Sequence, residues 1–308
     1  MNPLRTYVDD YLQVRRAMGY KLERAGRLLP QFIDFLDGAG TATVTVDDAI
    51  AWATLPAGDK RTWWAERLSI VRGFASWLAA FDPATEVPPA DLLPRTSGRT
   101  TPYICSQDEI EALLAAAGDI PTPLRAATYQ TLIGLLSVTG MRVGEAIALD
   151  SADFDRAHGL LQVRSAKFGK SRQLPLHETT VDALDDYLQL RGRLCRDVRS
   201  SALLVSNIGT RLDYRYVSKT FRQLADRAGL VPRSPSCRPR PHSLRHSFAV
   251  HTVLDSYRAD ADVQAMLPLL STYLGHVEPS NTYWYLSAAP ELLALAGQRL
   301  EDHLGGQR

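Results

Sequence analysis

The chain has 308 residues, 45% hydrophobic and 22% charged, with a formal net charge of +1. That length allows two domains, each with its own core, and the composition is that of an ordinary soluble globular protein. No apolar run nears the roughly 20 residues that span a bilayer. The opening MNPLRTYVDDYL lacks the basic-then-apolar order of a secretory signal. Three widely spaced cysteines, Cys105, Cys195 and Cys237, suggest neither a disulfide framework nor a zinc site. A cytoplasmic protein with reduced thiols is expected.

In chain order, YVDDYLQVRRAMGY, RLLPQFIDFLDGAG, VTVDDAIAWATL and TWWAERLSIVRGFASWLAAF each carry apolar residues at helical spacing, which predicts a small all-helical domain of four helices. Around residues 82–104, in DPATEVPPADLLPRTSGRTTPYI, Pro, Thr, Ser and Gly replace that periodicity. This reads as an interdomain linker. The boundaries expected are 1–83 for the first domain, 84–103 for the linker and 104–308 for the second domain. Beyond it, Ser106 and Glu109 in SQDEIEALLAAA fit a capping box, and PLRAATYQTLIGLLSVTG reads as a buried helix stopped by Gly140. The segment GLLQVRSAKFGKSRQLPLH predicts a β-hairpin with a Gly-centred turn. From Glu178 onward the pattern is again mostly helical, with a short strand expected at ALLVS, residues 202–206. The fold class is mainly α (α+β), with an all-helical N-terminal domain and a helical second domain bearing a small antiparallel sheet.

Charge is unevenly spread. Residues 191–246 hold thirteen Arg or Lys against three acids, a net of +10. Such a run fits a polyanion partner as well as a solvated helical face, and charge alone does not choose.

Four polar islands interrupt the apolar pattern. In TGMRVGEAIAL, Gly140 ends one helix while Arg142 and Glu145 open the next, three residues apart on one face. Arg142 could hold a phosphate with Glu145 orienting it from behind, although such pairs are also common on surfaces. In AKFGKSR, Lys167 and Lys170 flank the hairpin turn, where a lysine of lowered pKa could protonate a leaving oxygen. In PRPHSLRHSFAVH, His242 and Arg245 lie three apart at a helix start and can face one ligand. His242 and His246 are four apart, as in zinc proteases, but Ser243 stands where that pattern needs its Glu. Finally, in LSTYLGHVEPSNTYWYL, Gly275 ends a short helix, His276 follows it, and Tyr283, Trp284 and Tyr285 open another helical turn. Adjacent helical residues face different ways, so at least one of those three packs inward.

Together the islands resemble the tyrosine recombinase (phage integrase) family over most of residues 102–308. The family pattern is an Arg followed three residues later by an acid, a hairpin Lys, His-x-x-Arg, Leu-Gly-His, and a Tyr nine residues past that His. Here Arg142 with Glu145, Lys167, His242 with Arg245, His276 and Tyr285 match it. Lys167 lies eight residues before Pro175, a better spacing than Lys170, which remains the alternative. The resemblance implies that Tyr285 attacks a DNA phosphodiester. In that reading Arg142 and Arg245 hold the non-bridging oxygens, Glu145 supports Arg142, and His242 moves a proton. Lys167 protonates the departing 5′-oxygen and His276 binds phosphate. The implied product is a 3′-phosphotyrosyl link, which needs no metal and no nucleotide cofactor. Asp150, Asp153 and Asp155 then read as caps and turn residues.

The resemblance further implies double-stranded DNA as the partner, gripped between the two domains, and an N-terminal domain of the core-binding type. It also implies a homo-oligomer, tetrameric on DNA, with a second recombinase as an optional partner, and no membrane association. PELLALAGQRLEDHLG, with Leu292, Leu293, Leu295 and Leu300, is expected to form an amphipathic helix packed on its own domain or docked on a neighbouring subunit. Arg245 and His276 are 31 residues apart, which together with TYWYL is more like recombinases of mobile elements than chromosome-dimer resolvers.

Overall fold

In the computed structural model the described residues are 3–55, 61–93, 101–164, 171–195, 197, 199–259 and 261–275. The chain divides into two compact units, Met1–Arg99 and Thr100–Arg308.

Among the described residues four helices build the first unit: α1 (Leu4–Ala17), α2 (Glu23–Ala39), α3 (Val46–Thr54) and α4 (Arg61–Leu78). Their buried faces follow from sequence spacing. Leu4, Val8, Tyr11 and Leu12 line one stripe of α1, and Leu28, Leu29, Phe32, Ile33 and Leu36 line α2. These close on Trp52 of α3 and on Val71, Phe74, Ala75 and Leu78 of α4. Each such fully buried Leu or Phe contributes about 1.5–3 kcal/mol. Thr45 starts α3 by accepting the Asp48 amide through its hydroxyl, and Gly40, at φ +71°, ends α2.

The second unit is built on α5 (Gln107–Gly118), α6 (Pro123–Thr139) and α7 (Val143–Ala148). A three-stranded antiparallel sheet follows, of β1 (Phe154–Asp155), β2 (Leu160–Val163) and β3 (Arg172–Pro175) in that order. Then come α8 (Glu178–Leu194), α9 (Tyr214–Arg227), α10 (Pro241–Arg258) and α11 (Val263–Leu274). α5 opens with the expected capping box, Ser106 accepting the Glu109 amide while Glu109 accepts that of Ser106. α6 is apolar nearly all round, as a central helix must be, and packs against α5, α8 and α10. The hairpin pairs β2 with β3 in the register Leu161↔Leu174 and Val163↔Arg172. Its turn, residues 165–170, lies outside the described residues. α10 and α11 share a further apolar layer made by Ala249, Val250, Val253, Leu254, Val263, Leu267, Leu270 and Leu274. Among the described residues no helix is long and apolar enough to cross a membrane.

The expected strand at 202–206 does not form. Only isolated bridges, Asp150↔Ala202 and Val205↔Arg211, are made there. The reason is a change of partner: Ala202 to Val205 are fully buried, and side chains serve their backbone in place of a neighbouring strand. Arg191 donates to the carbonyls of Ala202 and Leu203 at 2.9 and 2.7 Å, while the Val205 amide donates to the Tyr187 hydroxyl at 3.2 Å. Among the described residues, only the Leu203 amide of this segment finds a backbone partner outside its own turn, the Leu149 carbonyl at 2.9 Å.

Candidate active site

Four helix ends meet in the second unit, those of α6, α7, α10 and α11. α6 stops at Gly140, whose φ of +57° is left-handed and whose missing side chain makes room for a neighbour. A Cβ there would collide with the Phe248 ring of α10. Two residues on, Arg142 sits at the N-cap of α7. α10 begins with Pro241 at its first turn, which puts His242 and Arg245 at its N-terminal end. α11 ends at Gly275, again left-handed at φ +68°.

Arg245 is 1% exposed and spans the gap between these ends. It donates to the Gly140 carbonyl at 2.8 Å and to the Leu274 carbonyl at 2.8 Å. Arg142 donates to the Gly275 carbonyl at 3.2 Å and to Glu145 Oε1 at 2.8 Å. Glu145 Oε2 accepts the Arg142 amide at 2.9 Å, so this carboxylate both caps α7 and fixes the Arg142 guanidinium.

Arg172, at the start of β3, completes the cluster. It donates to Glu145 Oε2 at 2.8 Å and Oε1 at 3.2 Å, and through Nε to the Tyr273 carbonyl at 2.9 Å. Three consecutive carbonyls at the end of α11, those of Tyr273, Leu274 and Gly275, are therefore each held by a different arginine. Burial alone would raise the pKa of Glu145, but hydrogen bonds from Arg172, the Arg142 amide and the Arg142 guanidinium outweigh it and hold the value at about 2.

His242 faces the same charges. Burial of the imidazole, then the positive charges of Arg245 and Arg142, lower its pKa to about 4, with Glu145 opposing. The residue also shows surface to solvent, which limits the burial contribution; the two arginines push the same way. His242 is thus a neutral imidazole at physiological pH, able to accept a proton. Its ring meets that of His246 edge-on at 4.5 Å between centroids. Among the described residues no group of three or more His, Cys, Asp or Glu is arranged to hold a metal ion.

The structure thus brings together Arg142, Glu145, His242 and Arg245. Lys167, Lys170, His276 and Tyr285 lie outside the described residues, as does the C-terminal segment carrying Leu292, Leu293, Leu295 and Leu300.

Residues 104–291 match the phage integrase family. The chain belongs to the phage integrase family. A Sinorhizobium fredii protein provisionally named integrase/recombinase y4rB is 42% identical over 307 residues, covering 98% of both chains. Tyrosine recombinase XerC of Mycobacterium bovis is 32% identical, covering 94% of this chain and 96% of that one. Among solved structures, the Tn1549 transposon integrase in complex with transposon right end DNA shares the fold. Its TM-score is 0.66 at 16% identity, over 96% of this chain and 98% of that one.

In this integrase family member the basic run 191–246 is not simply a DNA-facing surface. Arg191 is spent on Ser151 and on the carbonyls of Ala202 and Leu203. Arg211 serves the carbonyls of Ile147 and Leu149 and the Asp150 carboxylate. Arg233 donates to the Ile104 carbonyl and lies over the Tyr103 ring. The remaining outward charge includes Arg215, Lys219, Arg222 and Arg227 on α9, beside the exposed Tyr214 and Tyr216. The aspartates behave as structural groups: Asp153 accepts the Asp150 amide and pairs with Arg164, and Asp155 accepts the His158 amide.

Sequence reading passed over Arg172. The signal was present, because cross-strand partners share a face and side chains alternate along a strand. Leu161, Val163 and Leu174 are buried on one face of the hairpin, and Arg172, opposite Val163 and two before Leu174, belongs to that face. An arginine on the apolar side of a strand calls for an internal partner.

Proposed function

We propose that this protein is a site-specific DNA recombinase, acting in the cytoplasm on double-stranded DNA as a homo-oligomer, tetrameric on its site, for a mobile element. The Tyr285 phenol oxygen attacks the scissile phosphorus, forming a 3′-phosphotyrosyl bond as the bond to the 5′-oxygen breaks. The phenol has an ordinary pKa of about 10 and needs help to lose its proton; neutral His242 takes it. Lys167 gives a proton to the departing 5′-oxygen, and His276 binds the phosphate. The 5′-hydroxyl of another strand then attacks the phosphotyrosine, releasing Tyr285 and rejoining the backbone. Arg142 and Arg245 meet the charge that grows on the non-bridging oxygens, each donor worth about 3 kcal/mol in the transition state. The first unit serves as a core-binding domain joined through residues 84–103. No metal ion takes part in this scheme.

The observation that supports this reading is the convergence of Arg142, Arg245 and a neutral His242 on one spot, with Glu145 fixing Arg142 from behind. The test uses nicked suicide duplexes drawn from the DNA flanking the gene. Wild-type protein should form a covalent adduct stable to denaturing electrophoresis, in EDTA as in its absence, and Tyr285→Phe should form none. An adduct that persists in Tyr285→Phe, or one that EDTA abolishes, overturns the scheme.

A further inference from the structure

We propose that Arg172 is a positioning residue for strand cleavage, holding Arg142 and the end of α11 in register for the scissile phosphate. This rests on the recombinase reading above. Glu145 offers two oxygens, and four donors from two arginines share them: the guanidinium and amide of Arg142, and both terminal nitrogens of Arg172. Arg142 alone leaves that carboxylate free to pivot; the fork of Arg172 closes on its other side and fixes its plane.

The third donor of Arg172 reaches the Tyr273 carbonyl, two residues from the Gly275 carbonyl that Arg142 holds. One side chain therefore ties β3, the start of α7 and the end of α11 to one another. The close approach is built in, since a Cβ on Gly275 would lie 3.1 Å from the Arg172 guanidinium. Arg172 is 14% exposed at its side chain against 28% for Arg142, so it stands behind the more open arginine. Lysine cannot replace it: one ammonium lacks the planar fork and the separate Nε donor.

A brace that works by aiming Arg142 at phosphate charge has a consequence that a brace for the fold alone lacks. Its loss should matter most when the scissile phosphate is charged. The experiment compares full-length wild type, Arg172→Ala and Arg172→Lys on two nicked suicide duplexes of one sequence. One carries the normal phosphodiester and the other a methylphosphonate at the scissile position. Tyr285→Phe is the control: if wild type forms no adduct, or if this variant does, the recombinase reading has failed and not the role of Arg172.

With that control satisfied, Arg172→Ala should cleave the phosphodiester about a hundredfold more slowly at saturating DNA. On the methylphosphonate its deficit should be at least about tenfold smaller, because one non-bridging charge is gone. Arg172→Lys should fall between wild type and Arg172→Ala on the phosphodiester. Equal deficits on the two substrates would mean a purely structural role and overturn the proposal, as would a rate near wild type on the phosphodiester. If Arg172→Ala does not fold, the same comparison made with Arg172→Lys decides.

Discussion

Replacing Glu145 by glutamine keeps the shape of the side chain and removes its charge. The carboxylate accepts four hydrogen bonds from Arg142 and Arg172, and its own side chain is 8% exposed. Its pKa falls from 4.5 to about 2 on folding, a shift equivalent to about 3 kcal/mol at neutral pH. Glutamine also leaves Arg172 mostly buried without a counter-charge, so the total loss should reach about 3–5 kcal/mol. The sign with pH follows from the depressed value. The unfolded chain takes up the proton first, so the stabilisation is complete above about pH 4.5 and drains away as the pH falls toward 2. Urea unfolding of the full chain, followed by circular dichroism from pH 7 to pH 2.5, with amide exchange in α7 to assign the transition to the second unit, measures this directly. Wild type and Glu145→Gln should differ most at pH 7 and converge in acid. A difference that stays constant across this range would refute the reasoning, because the carboxylate charge would then not be what holds the two arginines.

His242 should titrate well below the ordinary histidine value, near pH 4, as followed by the NMR shift of its imidazole carbon-bound protons, and duplex DNA should raise that midpoint by bringing phosphate charge to the ring. Because the unfolded chain binds this proton first, His242 should also subtract stability as the pH falls from about 6.5 toward 4, and His242→Gln should blunt that decline. Gly140→Ala should destabilise the second unit by about 2–5 kcal/mol, combining the left-handed backbone cost with overpacking against Phe248. Thermal melts with amide exchange in α6 and α10 would show it, and a loss below about 1 kcal/mol, nearer the scale of an ordinary surface change, would refute both the backbone cost and the clash with the ring.

Much of this architecture is written in local pattern. The stripes of α1 and α2, the Ser106–Glu109 cap and the stop at Gly140 each depend on residues within a turn or two of one another, and sequence spacing exposes them. The pairing of Arg142 with Glu145 is legible for the same reason. What escapes is long-range service. Ala202 to Val205 read as a strand because they are apolar, yet nothing local says that Arg191 and Tyr187 will satisfy their backbone. Likewise the run 191–246 shows its charge but not that Arg191, Arg211, Arg233 and Arg245 each donate to backbone carbonyls of their own fold. Arg172 lies between these cases: alternation betrays its face, while its partners come from 27 and 101 residues away.

The row of arginines on the Tyr273, Leu274 and Gly275 carbonyls has a bearing on how such a protein can diverge. Every anchor there is a main-chain oxygen, and the Gly140 carbonyl that Arg245 also grips is another. Main-chain oxygens are common to all residue types, so the arginines depend on the path of the chain more than on which side chains it bears, Gly140 and Gly275 excepted by their left-handed backbone. Helix length is a different matter: one residue inserted or lost within α11 turns its final carbonyls by about 100°. The end of α11 is thus unforgiving of insertion, and chain length between Val263 and Gly275 should vary less than side-chain identity within α11 does.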